Sequence, residues 1–146
     1  TSFFRDPPLW ASLKEIIRSK MLLTKMSGGE GKTQLRAWVP GTSTGEEAYS
    51  LAMIFQEAVE SANLQDQFSL QIFATDLDTD AINKARRGIF TDTAVADIET
   101  DRLQRFFVKE AGHYRITKVI RDMITFAPQD VILDAPFTKI VIRKMD

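Results

Sequence analysis

The residues best suited to bind a small molecule are a glycine-flanked loop and a carboxylate further along the chain. The loop runs from Gly41 to Gly45, two acids follow it at once, and Asp76 closes a later apolar run. Glycine lets the backbone turn sharply and approach a bound molecule, and an acid at the end of a strand can accept hydrogen bonds from both hydroxyls of a ribose. The candidate contacts of a nucleoside are therefore Gly41, Ser43, Thr44, Gly45, Glu46, Glu47 and Asp76.

The two acids after the loop favour a cationic ligand. The loop does not match the G-x-G-x-x-G pattern of dinucleotide folds, and carboxylates at a helix N-terminus would repel a pyrophosphate. S-adenosylmethionine meets these requirements, since it combines ribose hydroxyls with a sulfonium and an ammonium. Two plainer interpretations stay open, because Glu46 and Glu47 could serve only the helix dipole and Asp76 could serve only a turn.

The elements that must position this site follow an α/β order. The spacing of apolar residues predicts, in order, a helix over 9–21 after two prolines, a strand over 35–39, a helix from Glu46 with Ser43 or Thr44 as its N-cap, a strand over 70–74, a helix over 80–87 ended by Gly88, a helix over 101–107, two short paired strands at 113–116 and 119–126, and a parallel strand over 137–142. This order is typical of the first half of a doubly wound α/β sheet.

The composition excludes several classes of chemistry. The chain has 146 residues, which fits one domain, and its lack of cysteine excludes thiol catalysis, disulfides and Cys-ligated zinc. Its single histidine, His113, offers no metal cluster and is interpreted as a hairpin residue. A net charge of −1 favours no nucleic-acid partner. We find no signal-peptide pattern and no apolar run near the roughly 18–20 residues of a membrane span, and therefore expect a cytoplasmic protein without membrane insertion.

Four motifs in a fixed order carry a resemblance to a known family. They are Thr1-Ser2-Phe3-Phe4-Arg5-Asp6, Ser43-Thr44-Gly45-Glu46-Glu47-Ala48-Tyr49-Ser50-Leu51-Ala52-Met53, Ala74-Thr75-Asp76-Leu77-Asp78 and Ala85-Arg86-Arg87-Gly88-Ile89-Phe90. Together they closely resemble the CheR family, the chemotaxis receptor glutamate methyltransferases. The resemblance implies a Rossmann-like class I S-adenosylmethionine-dependent methyltransferase fold, with a partial doubly wound sheet and a small antiparallel β-subdomain at about residues 110–127.

The resemblance also implies a reaction and a set of contacts. A methyl group would pass from S-adenosylmethionine to glutamate side chains of chemoreceptors, giving methyl esters and S-adenosylhomocysteine. We expect no metal and no catalytic base, because the acceptor carboxylate is already ionised and positioning supplies the acceleration. The implied cofactor contacts are Thr1 and Arg5 at the methionine end, Glu47 or else Glu46 at its ammonium, Asp76 at the ribose, and Asp130 with Val131 beside the adenine, where the family usually has an Asn-Leu pair.

Departures from the family pattern concern the ends of the chain. Lys144 stands where the family has an asparagine. We expect a partial methyltransferase domain over 1–146 that lacks the family's N-terminal helical domain and the C-terminal end of its sheet. The expected partners are chemoreceptor cytoplasmic helices and, at the β-subdomain, a receptor C-terminal peptide. An open sheet edge would also favour self-association.

Alternatives to an active enzyme stay open. One is a binding module of a larger chemotaxis-like protein that has lost turnover. A weaker one is a different methyltransferase or a nucleotide-binding Rossmann protein. The basic residues Lys84, Arg86 and Arg87 could attract acidic receptor helices, although a solvated helix end is the interpretation we favour. Trp38, Phe55 and Phe73 indicate core packing rather than an aromatic cofactor site.

Overall fold

A parallel sheet and a small antiparallel sheet organise the chain in the computed structural model, which describes residues 2–28 and 31–129 and the backbone of 139–141. In chain order the elements are α1 (Pro7–Met26), β1 (Thr33–Pro40), α2 (Glu46–Ser61), β2 (Phe68–Asp76), α3 (Thr79–Arg87), β3 (Ile89–Phe90), α4 (Thr100–Phe106), β4 (Phe107–Glu110), β5 (His113–Ile116), α5 (Lys118–Arg121), β6 (Ile124–Pro128) and β7 (Lys139–Val141).

The parallel sheet, called the main sheet below, has the strand order β6-β2-β1-β7 over the described residues. All three neighbouring pairs are parallel, and Pro40 at the end of β1 lies opposite Thr75 near the end of β2. Counted by their appearance in the chain, these strands lie third, second, first, fourth, so the sheet grows in opposite directions on the two sides of β1. Ligands of doubly wound sheets bind beyond the carboxyl ends of the strands at such a switch point. The predicted partial doubly wound α/β fold is confirmed.

Helix α2 is buried along most of its length because apolar residues surround it. Ala48, Leu51 and Ile54 are completely enclosed, and α1 packs on α2 with Trp10 and Ile17 buried. Full burial of one large apolar side chain stabilises the fold by about 1.5–3 kcal/mol. Helix α2 therefore fixes the position of the loop that precedes it. Within the described ranges, no helix has both the length and the apolar character to cross a membrane.

Five aromatic rings join the N-terminal segment to both sheets. The Phe3 ring packs edge-on against Phe90 and Phe107, with centroids 4.8 and 5.6 Å away. The Tyr49 ring, on α2, packs against Phe90 and Phe126 at 5.9 and 5.4 Å. Such pairs contribute about 0.5–1.5 kcal/mol each beyond their buried area. The cluster holds the segment before α1 against α2, the main sheet and the small sheet.

The prediction of a strand over 119–126 paired with 113–116 is wrong. The first of these ranges contains the short helix α5 and the start of β6, which pairs with β2 in parallel. Over the described residues, β6 lies at an edge of the main sheet, with Ile124 and Phe126 buried and Thr125 exposed. A half-buried edge strand alternates between apolar and polar residues as a hairpin strand does, so the pattern could not separate the two.

The antiparallel sheet has the order β3-β5-β4 and lies within residues 89–116. The predicted subdomain at about 110–127 therefore shifts toward the N-terminus. His113 begins β5, and its Nε2 lies 3.0 Å from Glu110 Oε1, so the predicted hairpin position of this histidine is confirmed.

Candidate functional site

The loop from Gly41 to Gly45 and the carboxylate of Asp76 meet at the carboxyl edge of the main sheet. The backbone N–H of Ser43 donates to Asp76 Oδ2 at 2.7 Å, and the N–H of Thr42 donates to the Thr75 carbonyl at 2.9 Å. Residues 33 positions apart come together because β1 and β2 are parallel neighbours. The predicted meeting of loop and acid is confirmed, and their contact with a cofactor stays a prediction.

Asp76 also forms the turn that its sequence context suggested. Its Oδ1 accepts the backbone N–H of Asp78 at 2.9 Å, and Asp78 in turn caps α3 by accepting the N–H of Ala81 at 3.2 Å. Each carboxylate oxygen has two lone pairs, so Asp76 keeps acceptor capacity after these two bonds. The turn interpretation and the ribose interpretation of Asp76 are therefore compatible.

The loop backbone adopts left-handed conformations at three residues, with φ of 64° at Gly41, 51° at Ser43 and 96° at Gly45. A Cβ at Gly45 would lie 3.1 Å from Ala85 Cβ and Tyr49 Cε2 and 3.2 Å from Phe126 Cε1. Gly45 thus satisfies both an unusual backbone angle and a close approach. The hydrogen bond from the Ser43 N–H to Asp76 offsets the backbone strain of the positive φ at Ser43.

The predicted N-cap of α2, Ser43 or Thr44, is wrong. The N-cap is Gly45, with no side-chain cap bond. The Thr44 hydroxyl instead hydrogen-bonds the Glu46 carboxylate. The left-handed turn at Gly45 places both hydroxyl residues outside the first helical turn, so neither reaches the position that a cap requires.

The acidic pair after the loop divides between two environments. Glu46 is buried, with 7% of its surface exposed, and it lines a cleft of about 390 Å³ together with Thr44, Lys84 and Arg87. Glu47 is half-buried. Successive residues of an α-helix lie about 100° apart around the axis, so the carboxylates of Glu46 and Glu47 point in different directions and cannot face the same cation equally well.

Arg5 is held near the start of α2 by its neighbour in sequence. The Phe4 backbone N–H donates to Ser50 Oγ at 3.0 Å, and Ser50 Oγ donates to the Glu46 carbonyl at 2.7 Å. Arg5 lines a second cleft of about 620 Å³, which shares Ala94 with the first. The sequence motif contained Ser50, but its type alone gave no sign that it joins the two segments.

An ionic network on the outer side of α2 supports the same segment. The Glu57 carboxylate accepts two bonds from Arg102, at 2.7 and 2.9 Å, and one from Lys14 Nζ at 3.1 Å. Burial opposes the ionisation of Glu57, but Arg102 and Lys14 outweigh it and lower the pKa of this carboxyl. The Arg102 guanidinium also lies 4.2 Å from the centroid of the Phe4 ring.

A hydrogen-bonded chain beneath the site was missed by sequence reasoning. Trp38 Nε1 donates to Thr75 Oγ1 at 3.0 Å, and Thr75 Oγ1 donates to Gln129 Oε1 at 2.8 Å. The Gln129 N–H donates to the Asp76 carbonyl at 2.9 Å. A half-buried tryptophan needs a partner for its indole N–H, which was the available signal. The chain joins the ends of β1, β2 and β6 behind Asp76.

Three predicted contacts, Thr1, Asp130 and Val131, lie outside the described residues. Among the residues that are described, no group of three or more His, Asp or Glu side chains could hold a metal ion. The donor set fits S-adenosylmethionine: Asp76 can accept from a ribose diol, the acids at the start of α2 can face a cation, and Arg5 can face a carboxylate.

Comparison with known proteins gives a family and several relatives. The family model described as "CheR methyltransferase, SAM binding domain" matches residues 1–144. An uncharacterised 104.1 kDa protein of Rhodobacter capsulatus is 42% identical over 139 residues, which cover 95% of this chain and 14% of that protein. The chemotaxis protein methyltransferase of Escherichia coli is 28% identical over 154 residues, covering 99% of this chain and 49% of the relative.

A third relative, chemotaxis protein methyltransferase 1 of Pseudomonas aeruginosa, is 33% identical over 129 residues, covering 86% of this chain and 45% of its own length. The chain thus spans about half of the two named methyltransferases and less of the larger protein. The match over nearly the whole chain agrees with the parallel main sheet and with the candidate site at its carboxyl edge. The chain belongs to the CheR methyltransferase family, as its S-adenosylmethionine-binding domain.

Proposed function

We propose that this domain transfers a methyl group from S-adenosylmethionine to glutamate side chains of chemotaxis receptors in the cytoplasm. The contact between the Ser43 N–H and Asp76 carries the proposal, because it joins a glycine-flanked loop to a carboxylate at the carboxyl edge of a parallel sheet, where ligands of such sheets bind. Relatives named chemotaxis protein methyltransferase support the reaction class.

The proposal assigns each end of the cofactor to a different element. Asp76 accepts from the ribose hydroxyls, Arg5 faces the methionine carboxylate, and Glu47 faces the ammonium. The half-buried position of Glu47 supports this choice over Glu46, which is buried. Thr1, Asp130 and Val131 complete the proposed contacts at the methionine end and the adenine.

The chain's own residues need to orient the two reactants rather than move a proton. The bound cofactor supplies an electrophilic methyl group, and a glutamate acceptor is ionised at neutral pH. The residues at the carboxyl edge of the main sheet hold the approach in line and exclude water, and such positioning can supply about 7–11 kcal/mol of a barrier. The absence of cysteine and the single histidine of the sequence are consistent with this economy.

A second candidate is a cofactor-binding or receptor-binding module without turnover. The Rhodobacter capsulatus relative favours it, because a match covering 14% of that protein places the domain within a much longer chain. In either case the proposed partners are the cytoplasmic helices of a receptor and, at the small sheet, a receptor C-terminal peptide.

Two measurements separate these candidates. Calorimetric titration with S-adenosylhomocysteine should show saturable binding in both cases. Incubation with radiolabelled S-adenosylmethionine and chemoreceptor-containing membranes should give base-labile methyl incorporation only for the enzyme. Binding without incorporation would select the module, and the lack of binding would contradict both.

A further inference from the structure

The basic residues at the end of α3 are used in different ways. Arg86 is anchored, since its Nη2 donates to the Phe126 carbonyl at 2.8 Å and its Nη1 donates to Asn83 Oδ1 at 2.9 Å. The side chains of Lys84 and Arg87 are exposed, and neither forms a hydrogen bond or an ion pair with a described residue. One guanidinium thus supports the fold, while the two other cations remain available to a ligand.

Lys84 and Arg87 both line the cleft of about 390 Å³ beside the start of α2. Residues three apart in a helix lie on one face, so their charges point toward the same region. Ile89 and Phe90 give the cleft an apolar wall, and Thr44 and Glu46 join it to the loop that ends at Gly45. The cleft therefore offers two cations and an apolar surface next to the proposed cofactor site.

The cations could simply complement the α3 dipole, which favours basic residues in a last turn. That role requires only a position at the helix end, and Arg86 already occupies one. It does not account for a shaped cleft shared with the loop–helix junction. A carboxylate on a short aliphatic stem matches both the cations and the apolar wall. The buried Glu46 carboxylate would repel this second negative group, which would therefore lie toward Lys84 and Arg87.

We propose that Lys84 and Arg87 bind an acidic side chain of the acceptor protein, next to the glutamate that is methylated. This inference rests on the proposed function and names the substrate chemistry of that same site. Both residues determine specificity and touch neither the cofactor nor the reacting atoms. The occupant is an acidic protein segment, and a guanidinium fork with an adjacent ammonium suits carboxylates in pairs.

The test is the affinity of the S-adenosylhomocysteine-loaded chain for a fluorescent helical peptide with glutamates four residues apart, measured by anisotropy. The variant Lys84→Glu/Arg87→Glu should lose at least about tenfold in affinity at low salt, and the difference should shrink at high salt because exposed charges are screened. A matched peptide with glutamine in place of glutamate should bind the unaltered chain as weakly as the glutamate peptide binds the variant.

The control variant Lys20→Glu/Lys25→Glu makes the same change of charge on exposed α1 residues outside the cleft. It should keep the peptide affinity within about twofold of the unaltered chain. Equal losses in the two variants, or no binding of the glutamate peptide by the unaltered chain, would overturn the proposal. Calorimetry with S-adenosylhomocysteine distinguishes this proposal from the proposed function. If the unaltered chain does not bind S-adenosylhomocysteine, the proposed function itself is contradicted.

Discussion

The carboxyl edge of the main sheet and the basic end of α3 lie close together but differ in how their polar groups are held. At the first, backbone N–H groups and the buried Ser50 hydroxyl are fixed by hydrogen bonds of 2.7–3.0 Å, and Gly45 lies where an added Cβ would come within 3.2 Å of its neighbours. At the second, Lys84 and Arg87 are exposed and have no partner among the described residues. Under the two proposals, the cofactor binds the first region, whose groups are held by hydrogen bonds, and the acceptor protein meets the exposed charges of the second. Substitutions should therefore cost folding and cofactor binding at the first region and partner recognition at the second.

The largest effect is expected from Gly45→Ala. The added Cβ would lie 3.1–3.2 Å from three neighbouring atoms, and the loop backbone would hold the alanine at a positive φ. We expect a loss of about 2–5 kcal/mol in the free energy of unfolding, measured by chemical denaturation.

Gly112→Ala is the matched control for that substitution. Gly112 also has a positive φ, of 78°, but no described atom lies within 4 Å of its added Cβ. Its cost should be limited to about 1 kcal/mol of backbone strain. Equal costs at both positions would contradict the tight packing of the loop against α2, α3 and β6.

Ser50→Ala should have the next largest effect. It removes the acceptor of the buried Phe4 N–H and should destabilise the fold by about 1–3 kcal/mol. Because residues 2–6 carry Arg5, the affinity for S-adenosylhomocysteine should also fall. Ser61→Ala changes an exposed residue at the end of the same helix, where its hydroxyl accepts a hydrogen bond from Arg18, and it should leave that affinity unchanged. A loss of stability without any loss of affinity would contradict the proposed contact between Arg5 and the cofactor.

Glu57→Gln should weaken the network that supports the same segment, by about 1.5–3 kcal/mol at neutral pH. The folded state lowers the pKa of Glu57, so its contribution is present above the unfolded value of 4.5 and is lost as pH falls through the lower folded pKa. Denaturation between about pH 6 and pH 2 should show that the variant loses less stability on acidification than the unaltered chain. Parallel curves would contradict the network.

The smallest effect on stability is expected from Lys84→Gln/Arg87→Gln. Neither side chain has a partner among the described residues, so the free energy of unfolding should change by less than about 0.5 kcal/mol. A loss comparable to that of Ser50→Ala would show that the two regions do not differ as described.

Sequence patterns predicted strands β1 and β2 and the loop–acid pair because their signals are local. Apolar runs followed by a turn and an acid identify β1 and β2, and their parallel pairing then brings Gly41–Gly45 to Asp76 without further information. The apolar run over 137–142 was predicted as a parallel strand of the main sheet, and β7 pairs with β1 in parallel, but its place beside β1 was not predicted.

What the sequence did not predict depends on contacts between distant segments. The link from Phe4 through Ser50 joins residues 46 positions apart, and the chain from Trp38 to Gln129 crosses three strands. Strand β6 was assigned to the wrong sheet because its alternation reflects an edge position, which only the assembled sheet defines. The separate environments of Lys84, Arg86 and Arg87 likewise depend on which neighbour each side chain meets.

The most direct test of the cofactor site is calorimetric titration of Asp76→Asn with S-adenosylhomocysteine, beside Asp78→Asn as control. The first variant keeps the side-chain shape but loses the charge, and its single oxygen can accept only one of the two backbone N–H groups, of Ser43 and Asp78, that Asp76 binds. The second keeps a good N-cap for α3. We expect a loss of about 1.5–3 kcal/mol, or roughly 10- to 150-fold in affinity, for Asp76→Asn alone. An unchanged dissociation constant in a folded Asp76→Asn variant would contradict the ribose role and, with it, the proposed site.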